Sequence, residues 1–198
     1  MARVKRTYKD SLFCDIFRRK DYLQDVYRGL FGRDVSLQEI QLMTLQGTFF
    51  NDEKNDVSFL AGKRQIVLME HQSTLNENMP LRCLYYICEQ LRKEFDSKQI
   101  YRNRRILLPV PEFHVFYTGE QAAPEQYEMR LSEAYAEAGD AIHLELKVCV
   151  HNVAYDAEKQ LLRRSRSLRD YAMFIWCVKR NLSQGMAREQ AIREAVPI

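Results

Sequence analysis

Apolar positions recur along this chain with two different periods, and the period names the element that each stretch prefers. From Asp10 onward, Leu12, Phe13, Ile16, Phe17, Tyr22, Leu23, Val26, Tyr27 and Leu30 form a broad stripe at helical spacing. Arg18, Arg19, Lys20 and Asp21 interrupt it, so a bend or a pair of helices is expected, with Gly32 as the stop. Residues 37–45 alternate imperfectly and predict a first strand, followed by a turn at Gln46 and Gly47, then Phe49 and Phe50 and a polar turn over 51–54. Residues 55–60 and 65–72 read as two strands joined by a hairpin turn at 61–64. After a loop at 76–78, Asn78 fits an N-cap with Pro80 in the first turn of an amphipathic helix over 79–95, carrying Leu84, Tyr85, Ile87, Cys88 and Leu91.

The second half reads less regularly. Residues 103–111 are a basic connector that Pro109 and Pro111 keep extended. Residues 113–117 are a short strand closed by Thr118 and Gly119, and 120–140 form an acidic loop with one short helix. The last strand is expected at 142–150 (IHLELKVCV), and beyond Asp156 the chain is helical until Pro197. This order predicts an α/β fold: a mixed sheet with helices on its faces. The expected division is a core over 1–155 and a helical extension over 156–198 packed on it, whose abrupt end at Ile198 suggests continuation in a parent protein.

At 198 residues, with 46% hydrophobic and 29% charged side chains, the chain can bury a sizeable core, which excludes a disordered class. The net charge of +3 permits a nucleic-acid partner without demanding one. The five cysteines lack a CxxC pair and each lies in an apolar segment, which predicts buried thiols in a reducing, cytoplasmic setting. Neither the cysteines nor His114, His143 and His151 show a metal-binding spacing. MARVKRTYKD is basic but no apolar stretch follows it, so no signal peptide is expected, and no run is long enough to span a membrane.

Chemistry concentrates in the hairpin. If its turn centres on Lys63, Asp56 lies directly across from Glu70, on one face, with Cβ atoms ~5 Å apart. Two carboxylates that close repel unless a proton or cation joins them. They are natural ligands for Mg²⁺ or Mn²⁺, to which the main-chain carbonyl of His71 can add a third oxygen. Gln72, two residues beyond Glu70, shares its face and can orient a water, whereas the His71 ring points to the other side. Competing readings are a turn residue for Asp56 and an edge charge or salt bridge for Glu70.

NDVSFLAGKRQIVLMEHQSTLNENMPLR resembles the central motif of the PD-(D/E)XK nuclease family transposases, also called recombination-promoting nucleases. The likeness extends in order to KDSLFCDIF, LPVPEFHVFYTG, LELKVCVHNV and SLRDYAMFI. It implies a restriction-endonuclease-like core and Mg²⁺- or Mn²⁺-dependent cleavage of DNA in the recombination of mobile elements. Asp56 would take the place of the motif's aspartate, preceded here by Asn55 rather than proline, and Glu70 that of its second acid. Gln72 stands where the wider superfamily has lysine, although this family commonly carries glutamine. A glutamine supplies a dipole and no charge, so a silent module that binds DNA or a protein partner is the alternative function. Asp10 matches an acidic position near the metal, in competition with an N-cap role. Arg82 is placed to meet a phosphate or to pair with a site carboxylate. Arg102, Arg104 and Arg105, and Arg163, Arg164, Arg166 and Arg169, are candidate phosphate contacts or solvated faces with local ion pairs. Cutting both strands would suit a homodimer.

Overall fold

The computed structural model describes residues 8–44, 56–137 and 141–195. The N-terminal stripe is two helices, α1 (Tyr8–Ile16) and α2 (Lys20–Phe31), parted where the charged run places Arg19 in extended backbone. Gly32 ends α2 in the left-handed conformation, φ 65°. Asp10 lies inside α1, which begins at Tyr8, so its expected N-cap role is corrected.

A six-stranded mixed sheet follows, in the order β1-β2-β3-β4-β6-β5. β1 (Ile40–Leu42), β2 (Val57–Ala61) and β3 (Gln65–Gln72) form an antiparallel meander. The expected first strand is shorter than 37–45, because Leu37–Glu39 is a 3-10 turn held by a Ser36–Glu39 capping box. The turns expected at 46–47 and 51–54 fall outside the described residues. The β2–β3 turn needs Gly62, at φ 60°, and pairs Ala61 with Gln65. α3 (Met79–Glu94) and the short α4 (Ser97–Ile100) carry the chain across to β4 (Val110–Tyr117), which runs parallel to β3. β6 (Lys147–Asn152) runs parallel to β4 and starts five residues later than expected at Ile142.

The acidic segment expected as loop and helix holds β5 (Gln126–Arg130), antiparallel to β6, and a 3-10 turn at Leu131–Ala134. β5 is an edge strand whose outer positions face solvent, so its residues alternate between exposed and half-buried and carry no apolar run.

The sheet buries one apolar cluster on each face. Val67, Met69, Phe116, Val57 and Phe59 meet Phe13 and Phe17 of α1, Leu23 and Val26 of α2, and the C-terminal helices. Those helices are α5 (Gln160–Arg164) and α6 (Arg166–Ser183), with Leu162, Leu168 and Tyr171 in the same cluster, while α7 (Arg188–Ala195) packs against α6. Asp25 of α2 pins them: its Oδ2 accepts from the Ser165 hydroxyl at 2.6 Å and from the Ser167 amide at 2.9 Å. On the opposite face Ile66, Leu68, Val115 and Val150 pack against Met79, Cys83 and Ile87 of α3. No helix among the described residues is long and apolar enough to cross a membrane.

Candidate metal and phosphate site

The hairpin register builds the site. Val57 opposes Met69, so one step outward Asp56 opposes Glu70, as the turn centred on Lys63 requires. Asp56 shares its parity with Ser58 and Leu60, and Glu70 shares its parity with Leu68. Both carboxylates therefore lie on the α3 face. They are nearly enclosed, at 7% and 1% exposure. Asp56 Oδ2 accepts from the His71 amide at 2.8 Å, while the Asp56 amide donates to Glu70 Oε1 at 2.9 Å. Because the His71 N–H faces the β2 side, its carbonyl faces that side too, as N–H and C=O of one strand residue point the same way. α1 reaches this end of the hairpin through Cys14, whose thiol donates to the Asp56 carbonyl at 3.4 Å.

A cation already serves the pair. Arg82 sits in the first turn of α3, where its amide continues the helix from the Asn78 carbonyl. Its Nη2 meets Glu70 Oε2 at 3.2 Å and donates to the Tyr86 hydroxyl at 2.9 Å. Burial acts to lower the Arg82 pKa, but Glu70, Tyr86 and Asp56 outweigh it and the net shift is upward. Burial and the Glu70 charge raise the Tyr86 phenol and push the Cys83 thiol up. The salt-bridge reading of Glu70 and Arg82 is therefore realised in this state. Tyr86 escaped the sequence analysis, although its i+4 spacing from Arg82 on one helix face is a local signal.

The donor types suit a hard divalent ion: two carboxylates opposed on one face, a strand carbonyl turned toward β2, and an environment in which a positive charge is held. Gln72, the half-buried last residue of β3, shares the Glu70 face. The His71 ring lies on the opposite face as expected, buried against Phe13 and Tyr171, with Nε2 2.9 Å from Thr118 Oγ1. The Asp10 side chain lies outside the described residues.

The other candidates are dispersed. Arg102, Arg104 and Arg105 are exposed beside the entry to β4, where Val110 pairs with Gln65. Glu70 is five residues further along β3, about 16 Å away at the rise of an extended strand. Arg163, Arg164, Arg166 and Arg169 belong to α5 and α6, whose buried residues pack on the face away from Arg82. Arg163 pairs with Glu158, and Arg166 and Arg169 both pair with Asp170, at 3.4–3.8 Å. Of the expected cationic contacts, Arg82 alone joins the carboxylates.

The histidines show no metal spacing along the sequence, yet the fold brings two of them together. His114 Nδ1 and His151 Nε2 lie 3.0 Å apart, with Cys149 beside them. Neighbouring parallel strands bring them together across a long crossover, which linear spacing does not encode. The local signal was Cys149 and His151 at i, i+2, a spacing that shares a strand face. The chain matches no protein-family model, no curated protein and no solved structure, so the chemistry of the site stands on these residues alone.

Proposed function

We propose that this chain is a divalent-metal-dependent DNA endonuclease with a restriction-endonuclease-like core, hydrolysing phosphodiester bonds in the recombination of mobile elements. The observation that carries the reading is the convergence of Asp56 and Glu70 on one buried face, opposed across the hairpin and beside Arg82. The order of elements supports it as well: helices, a three-stranded meander, a crossover helix and a parallel strand. Asp56, Glu70 and the His71 carbonyl would hold Mg²⁺ or Mn²⁺, and Asp10 is the further candidate. The ion, when bound, supplies an activated water and neutralises charge on the attacked phosphate.

The protein side of the mechanism follows from the same contacts. Asp56 is fixed by the His71 amide and Glu70 by the Asp56 amide, so both carboxylates are oriented before any ligand arrives. Gln72, on the Glu70 face, would orient a water by hydrogen bonding. Arg82 exchanges Glu70 for a phosphate oxygen, a partner its planar fork suits equally. The arginines of the connector and of α5–α6 attract the DNA backbone without reading its sequence. Cleavage of both strands calls for a second copy of the chain. Free thiols at Cys83, Cys88, Cys149 and Cys177 support a reducing, cytoplasmic setting.

A silent binding module is the second reading. It draws on the near-complete enclosure of Glu70, on the Arg82 contact and on the neutral Gln72. Incubation of supercoiled plasmid with Mg²⁺ or Mn²⁺ separates the two. Catalysis predicts nicking by the wild type that Asp56→Asn and Glu70→Gln abolish. Equal nicking by those variants refutes the site, and salt-sensitive retention of DNA without nicking supports the silent module.

A further inference from the structure

On the sheet face opposite the carboxylates, the chain builds a second donor set. His114 of β4 pairs in register with Cys149 of β6, and His151 follows Cys149 by two residues. All three side chains therefore share the face that α2 and α5 cover. One ligand atom from each lies within 4.8 Å of the others. His114 and His151 are almost wholly enclosed, at 7% and 6% exposure. A cavity of about 110 Å³ opens beside them, lined by Gly29, Glu125, Gln160 and Arg164 among others.

We propose that His114, Cys149 and His151 form a zinc site with its fourth position open to this cavity. An S,N,N donor set suits a borderline-soft ion such as Zn²⁺ and is poor for Mg²⁺, so the two faces of the sheet would sort two metals by softness. The geometry needs little change. In tetrahedral zinc, two nitrogens stand about 3.3 Å apart and nitrogen and sulfur about 3.6 Å. The two ring nitrogens already stand at 3.0 Å, and no separation among the three ligand atoms exceeds 4.8 Å, so closing onto an ion would take about an ångström of side-chain movement.

The hydrogen-bond pattern points the same way. With both rings neutral, His114 Nδ1 and His151 Nε2 share a single proton, so these two nitrogens already face each other. A bound ion would take the place of that proton between the two nitrogens. The carboxylates of Glu128 and Glu112 act electrostatically on Cys149. Those carboxylates favour a cation nearby, and coordination would deprotonate the thiol outright.

The test uses this chain, stripped of metal by a chelator and titrated with ZnCl₂ in competition with a chromophoric chelator, then with Co²⁺ as a spectroscopic stand-in. The expected result is one tightly held equivalent of zinc and, with Co²⁺, a thiolate charge-transfer band with tetrahedral visible bands. Cys149→Ser and His151→Gln lose the equivalent and the band, while circular dichroism shows both variants folded. Cys88→Ser and Asp56→Asn keep both signals, which separates this site from the exposed thiol and from the carboxylate pair. Zinc uptake by Cys149→Ser equal to the wild type, or a cobalt spectrum without thiolate character, overturns the proposal.

Discussion

Replacing Arg82 by leucine removes the guanidinium from Glu70 Oε2 while keeping an apolar stem on α3. Breaking a buried ion pair from one side costs about 3–5 kcal/mol. Glu70, at 1% exposure, sits in that regime, but the Arg82 side chain is 35% exposed and solvent screens part of its charge. The expected loss is about 2–3 kcal/mol, which for a chain of this size lowers Tm by roughly 5–10 °C. Urea and thermal unfolding in EDTA measure it. Adding Glu70→Gln removes the charge that Arg82 served, so the double variant should recover part of the loss, with a coupling of about 1–3 kcal/mol in the double-mutant cycle. Metal gives the sharper readout. If an ion and the guanidinium compete for the same oxygens, Mn²⁺ stabilises Arg82→Leu more than the wild type, because nothing need be displaced. A loss under ~0.5 kcal/mol, the level of a surface substitution, would show that Arg82 does not support Glu70. An equal Mn²⁺ shift in both proteins would show that the cation and the metal do not share a site.

Further outcomes test other parts of the structure. Gln72→Lys places a positive charge on the Glu70 face and is expected to raise plasmid nicking about tenfold or more, within the range that one electrostatic donor supplies. No change would place Gln72 away from the attacked phosphate. Gly29→Ala sets a Cβ 2.9 Å from that of Ser165, so α2 and α5 must separate, at a cost of about 1–3 kcal/mol in urea unfolding. A neutral result would mean that the helices repack freely. Burial holds the folded-state pKa of His114 at about 3 and that of His151 at about 4. Between these values and the unfolded value of about 6.5, the unfolded chain binds the extra protons. Stability in EDTA is therefore full above about pH 6.5 and falls toward pH 4, by up to ~1.4 kcal/mol per pH unit for each histidine. His151→Gln flattens the slope, and an unchanged slope would refute the assignment.

The hairpin was legible because its information is local. Gly62 sets the turn, the apolar period of two sets the faces, and together they place Asp56 across from Glu70 with no help from the rest of the chain. α3 was legible for the same reason, through Pro80 and a helical stripe. β5 was not, because an edge strand solvated on one side needs no apolar run and its charges read as loop. Long-range pairing accounts for the remainder. Whether Arg82 serves a phosphate or Glu70 in this state depends on how α3 packs over the sheet. The separation of the arginine groups from the carboxylates likewise depends on which end and which face each element reaches. His114, Cys149 and His151 meet because two parallel strands align across more than thirty intervening residues. Parallel register is set by the packing of the whole crossover, and no short stretch of sequence carries it.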